Sequence, residues 1–202
     1  MIVQDVLDLC KSNLSNLAVS KNDSALINMI NLGIVDLYDR FNLNIRSEKI
    51  QTNSDTNLYN IKDESVSLLL KLYDSNGKEL HETDVIDAKG FDYTRLDYKN
   101  FILNHPDDTH VYAVYKASPT RVSNPNDKIE LPGVMIQALH VYTASLAHAT
   151  VQSTSSIAAY RASNNGDAMY QKYLALVQSL EMQGYKVSLD NQKLSIIAKG
   201  YR

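Results

Sequence analysis

Between Val134 and Gly184 only Arg161, Asp167, Lys172 and Glu181 are charged, four residues in 51, although the whole chain holds 43. In the same stretch Val134, Met135, Ala138, Leu139, Tyr142, Leu146 and Ala149 recur at spacings of three and four, and Met169, Tyr173, Leu176, Val177 and Leu180 repeat the pattern. That period places apolar side chains along one stripe of a helix. Pro132 suits the first turn, where a missing N–H costs nothing, and Gly184 suits a stop. Asn164-Asn165-Gly166 reads as punctuation, so two antiparallel helices joined over 163–167 are expected. An ordinary solvated face would be rich in Lys and Glu, whereas these off-stripe positions are Ser, Thr, Gln, Asn and Ala. Neutral small residues pack closely without desolvating ions. Two readings stand: helices buried in their own domain, or helices packed against other copies of the chain. On the second, Ala144, Ser145, His148, Gln152, Ser155, Ala158 and Ala159 are the candidate inter-subunit contacts.

The remaining chain sets the class. Residues 2–11 read as a short helix, and Asn22-Asp23-Ser24 offers N-caps for a longer one through about Phe41. Leu26, Ile27, Ile30, Ile34, Leu37, Tyr38 and Phe41 line that helix, with Gly33 a costly interruption unless another segment passes close. From Asn42 the period changes to two. Strands are expected at Asn44–Thr52, Thr56–Ile61, Val66–Tyr73, Tyr98–Leu103 and His110–Lys116. Asn76-Gly77 predicts a hairpin whose return strand is Lys78–Glu82. Asp84–Leu96 has no clear pattern, and Ala117–Lys128 reads as a loop. The expected class is therefore α+β: a helical bundle of N-terminal helices plus a long C-terminal helical hairpin, with an inserted antiparallel β region. One domain is expected over 1–184, helical at 1–42 and 132–184 and β at 43–131, followed by an extended arm at 185–202. In that arm Tyr185, Val187 and Leu189 alternate with polar residues, and Leu194, Ile196, Ile197 and Tyr201 follow. A last strand and a partner-docking arm both fit it.

Composition narrows the chemistry. A net charge of −3 and a pI near 5.9 give no electrostatic case for binding nucleic acid or an anionic membrane. The single cysteine, Cys10, excludes an intrachain disulfide framework. Met1–Leu14 carries Asp5 and Asp8 within its apolar run, so a signal peptide is not expected there. His140 and His148 lie eight apart with no carboxylate at ligand spacing between them, and are read as packing or interface residues. Asp74-Ser75-Asn76-Gly77 resembles the opening of a calcium loop, but its glycine is two positions early, and it is read as a β-turn. No phosphate cradle or nucleophile elbow is present. No catalytic residue, cofactor or metal is therefore expected, and the chain is not expected to be an enzyme.

Three segments carry a family resemblance: the helix Leu26–Tyr38, the strand and loop Val111–Pro119, and Ile129-Glu130-Leu131-Pro132 opening a helix with Ala138-Leu139, Tyr142 and Ala144. In pattern and order the chain resembles the head-to-tail adaptor (connector) proteins of tailed bacteriophages. That resemblance implies a structural virion protein, located at the tail neck and assembled in the host cytoplasm. It implies a ring, typically of twelve subunits, beneath the portal protein, with further tail proteins below. Duplex DNA would pass through without specific binding, and no membrane is involved. It also implies a C-terminal arm docking on portal, for which Tyr185, Val187, Leu189, Leu194, Ile196, Ile197 and Tyr201 are the candidates. Another multimeric virion component, such as a tail-completion or terminator protein, is the alternative. A small-ligand binder or an enzyme with an unrecognised site is the third class.

Overall fold

Helix α1, Val3–Asn13, begins where its first amide groups find partners outside the helix. The N–H groups of Val3 and Gln4 donate to the carbonyls of Asp127 and Pro125, and the Asp5 carboxylate accepts the Ile2 N–H at 3.0 Å. Orphan donors at a helix start must be satisfied this way or by water. In the computed structural model, residues 1–14, 21–84, 92–104, 109–150 and 156–186 are described, the side chains of 156–163 excepted. They divide into two compact units, one of residues 1–41 with 119–186 and one of residues 42–118.

In the helical unit, α2 spans Asp23–Phe41, α3 Ile136–Ala149 and α4 Ser156–Met182. Asn22 caps α2 by accepting the Ala25 N–H, and Asn42 ends it at φ 53, a left-handed conformation that asparagine tolerates. The apolar stripe read from sequence is buried apart from the half-buried Tyr38, with Leu26, Ile30 and Leu37 fully covered. Gly33 sits at a close approach, where any side chain would force Leu139 to shift. A Cβ there would lie 2.6 Å from Leu139 Cδ1 and 3.0 Å from Tyr142 Cδ1, because α3 crosses at this point. The loop before α3 is tied to α2 by Asn31, whose amide both donates to and accepts from the backbone of Val122. A single 3-10 turn, Gly133–Met135, leads into α3.

The described residues of the β unit form seven strands: β1 Ile45–Gln51, β2 Leu58–Asn60, β3 Val66–Tyr73, β4 His81–Glu82, β5 Asp92–Arg95, β6 Asn100–Leu103 and β7 His110–Ala117. They form a three-stranded sheet, β1-β7-β3, and a four-stranded sheet, β2-β6-β5-β4, antiparallel except for the β4–β5 pair. Both sheets contribute to one core that contains Leu69, Leu72, Val111, Ala113 and Tyr115 from the first and Tyr59, Tyr93, Phe101 and Leu103 from the second. In β3 the core residues Val66, Leu69 and Leu72 are spaced by three. Two register shifts against β7 each add one residue, so the pleat still delivers all three to the same side. The Asn76-Gly77 turn forms, with Gly77 at φ 78 and the Asp74 N–H bonded to the Lys78 carbonyl. Its return is brief: after the Tyr73–Glu79 bridge the chain leaves β3, and His81–Glu82 joins the other sheet beside β5.

Three expectations are corrected. The described residues form an α+β arrangement of four helices and two sheets, and this is not a helical bundle with a long C-terminal hairpin into which a β region is inserted. The strands build a unit with its own core, and α3 is only 14 residues long. Second, the helix joint does not lie at 163–167, because α4 runs unbroken through Asn164-Asn165-Gly166. Gly166 marks a close helix crossing, where an added Cβ would stand 3.4 Å from both His148 Cβ and the Ser145 carbonyl oxygen. Third, Lys78–Glu82 is not one return strand.

Candidate functional site

Helix α3 packs against α1, α2 and α4, and this central position accounts for its lack of charge. Ala144 is fully buried, Ser145 is 5% exposed, and Thr143 and Ala147 beside them are fully buried. The Ser145 hydroxyl donates to the Tyr142 carbonyl at 2.7 Å and that of Thr143 to Leu139 at 2.9 Å, so these polar groups are satisfied within the helix. Of the candidate inter-subunit residues, His148 is half-buried at the end of α3. Gln152 and Ser155 lie outside the described residues, and Ala158 and Ala159 lie in the backbone-only part of α4. Of the candidate docking residues, Tyr185 is exposed, while Val187, Leu189, Leu194, Ile196, Ile197 and Tyr201 lie outside the described residues. Helix α4 closes just before Tyr185, with Gly184 at φ 80 and the Tyr185 N–H returning to the Leu180 carbonyl.

The available face belongs to α4 and was not singled out by sequence. Gly166, Tyr173, Val177 and Leu180 are buried on one side. At about 100° per residue, Asn164, Ala168, Gln171, Ala175, Gln178 and Met182 fall on the opposite side, and all six are exposed. No charge lies on this stripe. Asp167 and Glu181 flank one border and Lys172 the other. The signal was present as the spacing of these residues, but it could be assigned to solvent only once Tyr173 was known to point inward.

Tyr173 holds α4 to α2. Its ring is fully buried, meets Tyr142 edge-on at 4.9 Å and lies 5.7 Å from the Arg40 guanidinium. Its hydroxyl donates to Asp36, whose Oδ2 also accepts Arg40 Nε at 2.7 Å. Burial, followed by the bond to Asp36, raises the Tyr173 phenol above its ordinary range. In the β unit, Asp63 accepts Ser65 N–H and hydroxyl, Tyr115 and Arg46, and these bonds lower its carboxyl well below the ordinary value. Both clusters are internally satisfied and tie elements together. The Asp74 Oδ1 is likewise used by the N–H groups of Asn76 and Lys78.

Burial pushes the Cys10 thiol up to about 12, which leaves it unreactive near neutral pH. Among the described residues no group of three His, Cys, Asp or Glu could hold a metal ion, and no helix is long and apolar enough to cross a membrane. His105 lies outside the described residues.

His140 lies 3.0 Å from the Asn13 side-chain amide. Burial lowers its pKa most, a bond to the Leu9 backbone raises it, and Lys172 lowers it further. A histidine depressed in the fold binds fewer protons than in the unfolded chain between its two pKa values. Its contribution is thus fully present above the ordinary value of about 6.5 and is lost as pH falls through the folded value. His148 and His110, depressed mainly by burial, act in the same direction. Urea unfolding midpoints are expected to fall between pH 7 and 5, and His140→Gln is expected to flatten that slope. An unchanged slope in the variant would remove His140 from the account.

Compared with known proteins, the chain matches no family model, and no curated protein matches its sequence.

Proposed function

We propose that the chain is a structural subunit of a homo-oligomeric assembly, and specifically a head-to-tail adaptor ring of a tailed phage. The observation that carries this reading is the exposed, uncharged stripe of α4, bordered by acid on one side and by Lys172 on the other. A face with Ala, Gln and Met at spacings of three and four can approach another helix closely, with little ion desolvation. Unlike charges on its borders favour a neighbour that meets Asp167 and Glu181 with a cation, which suits head-to-tail contacts that close into a ring. In this reading α4 lies between subunits, the buried α3 is the post that holds it, and the segment from Tyr185 onward docks on portal.

The test places charge on the stripe. Ala175→Glu and Gln178→Glu change exposed positions, so each is expected to shift monomer stability by no more than about 0.5 kcal/mol. Each is also expected to weaken ring assembly at least about tenfold, equivalent to about 1.4 kcal/mol. Mass photometry of the purified chain, alone and with portal protein, reads the assembly. A parent chain that stays monomeric in both conditions overturns the reading, as do variants that assemble like the parent.

A further inference from the structure

In the helical unit a cavity of about 480 Å³ opens between the end of α1, the end of α3 and the middle of α4. It is lined by Asn13, Leu14, His148, Asn165, Met169 and Lys172, together with Ala168. The volume falls in the range of small-molecule pockets, and the lining combines an apolar floor with a few convergent polar groups. Its polar groups are two carboxamides, an imidazole and an ammonium, with no carboxylate among them. Lys172 has no carboxylate within ion-pairing distance among the described residues. His148 Nδ1 is buried with no hydrogen-bond partner. A buried polar atom left unpaired beside a cavity calls for a ligand or water to complete it.

The ordinary role for a lysine here would be to neutralise carbonyls at the ends of α1 and α3. Several carbonyls of those last turns already have donors. The Leu9 carbonyl accepts the Ser12 hydroxyl and that of Cys10 accepts the Leu14 N–H, while Leu146 and Ala147 accept the N–H and hydroxyl of Thr150. Asn13 is held in place by His140, 3.0 Å away. Among the described residues the Lys172 ammonium has no carboxylate partner, and the residues lining the cavity include no acid.

We propose that this cavity is a binding site for a small free anion bearing a carboxylate or phosphate group. Lys172 supplies the charge, His148 a ring N–H, and Asn13 and Asn165 further amide donors. Leu14 and Met169 receive the apolar part of an organic anion. Charge-assisted bonds from ammonium to carboxylate or phosphate are the strongest that this donor set can make. The site lies on the flank of α4 that carries Lys172 and shares Ala168 with the exposed stripe, and the titration reads anion binding whether or not the chain assembles.

Inorganic phosphate and acetate serve as separate probes, titrated into the full-length protein and followed by amide chemical shifts and melting temperature. Saturable shifts at Asn13, His148, Asn165 and Lys172 are expected for at least one probe at constant ionic strength, and the stronger probe identifies the headgroup. Lys172→Met removes an exposed charge and His148→Phe keeps the ring without its nitrogens, and each is expected to weaken that probe at least about tenfold. Lys62→Met, in the β unit, is expected to leave it unchanged. Far-UV circular dichroism checks that each variant is folded, so that loss through one variant's misfolding is separated by the other. No saturable shift with either probe overturns the proposal, and so does binding that survives both Lys172→Met and His148→Phe.

Discussion

Tyr173→Ala is expected to destabilise the helical unit by about 3–5 kcal/mol, the usual cost of deleting a fully buried aromatic ring. The ring is covered on all sides, packs edge-on against Tyr142 and lies under Arg40, while its hydroxyl holds Asp36. Removing it leaves a cavity between α2, α3 and α4 and takes away the one fully buried large side chain of α4's inward stripe. Tyr173→Phe isolates the hydroxyl. Asp36 keeps Arg40 as a partner and is partly solvated, so the expected loss is near the low end for bonds to a charged group, about 1.5 kcal/mol. Urea unfolding monitored by far-UV circular dichroism measures both. Equal losses in the two variants would mean that the bond to Asp36, and not the packed ring, anchors α4. On the assembly reading proposed above, the stripe of α4 is presented only while Tyr173 is seated, so Tyr173→Ala should also abolish assembly, whereas Tyr173→Phe should reduce it only through the smaller stability loss.

Phe101→Ala is expected to cost about 3–5 kcal/mol in the β unit. Phe101 is fully buried on β6, stacked on Tyr59 at 6.1 Å and edge-on to Tyr93 at 6.4 Å, so a single ring joins β2, β6 and β5. Short strands depend on such cross-strand pairs, since β2 has three residues and β5 and β6 four each. Phe101→Leu restores much of the volume but no ring, and is expected to lose less than half as much. Hydrogen exchange at Tyr59, Thr94 and Leu103 should accelerate strongly in the alanine variant. If these amides stay protected, Phe101 does not hold the four-stranded sheet together.

Much of the secondary structure was legible from local pattern. The stripe from Leu26 to Phe41, the alternation in Ile45–Gln51 and His110–Ala117, and the left-handed turn at Gly77 follow from side-chain spacing and backbone sterics, which neighbouring residues set among themselves. Strand β5 was not legible. Tyr93 and Thr94 are both buried and their flanks are polar, so alternation fails over four residues and only pairing with β6 and β4 makes them a strand. Strand β3 kept its pattern despite two bulges because its apolar residues run nearly without interruption.

The candidate site divides in the same way. Scarcity of charge between Val134 and Gly184 is a property of the sequence, and in α3 it accompanies burial. Which surface these helices meet is not local. Ala144 and Ser145 are buried because α1, α2 and α4 surround α3, and the neutral stripe of α4 is exposed because Tyr173, Val177 and Leu180 turn inward. Asn164-Asn165-Gly166 shows the same limit. A glycine after two asparagines favours a turn by its own conformational freedom, yet Gly166 is helical, buried within α4 where that helix packs on α3. Period and propensity were therefore determined by the chain itself. Burial, close approach and the open face were decided only by tertiary contacts, because each depends on residues distant in sequence that no local spacing encodes.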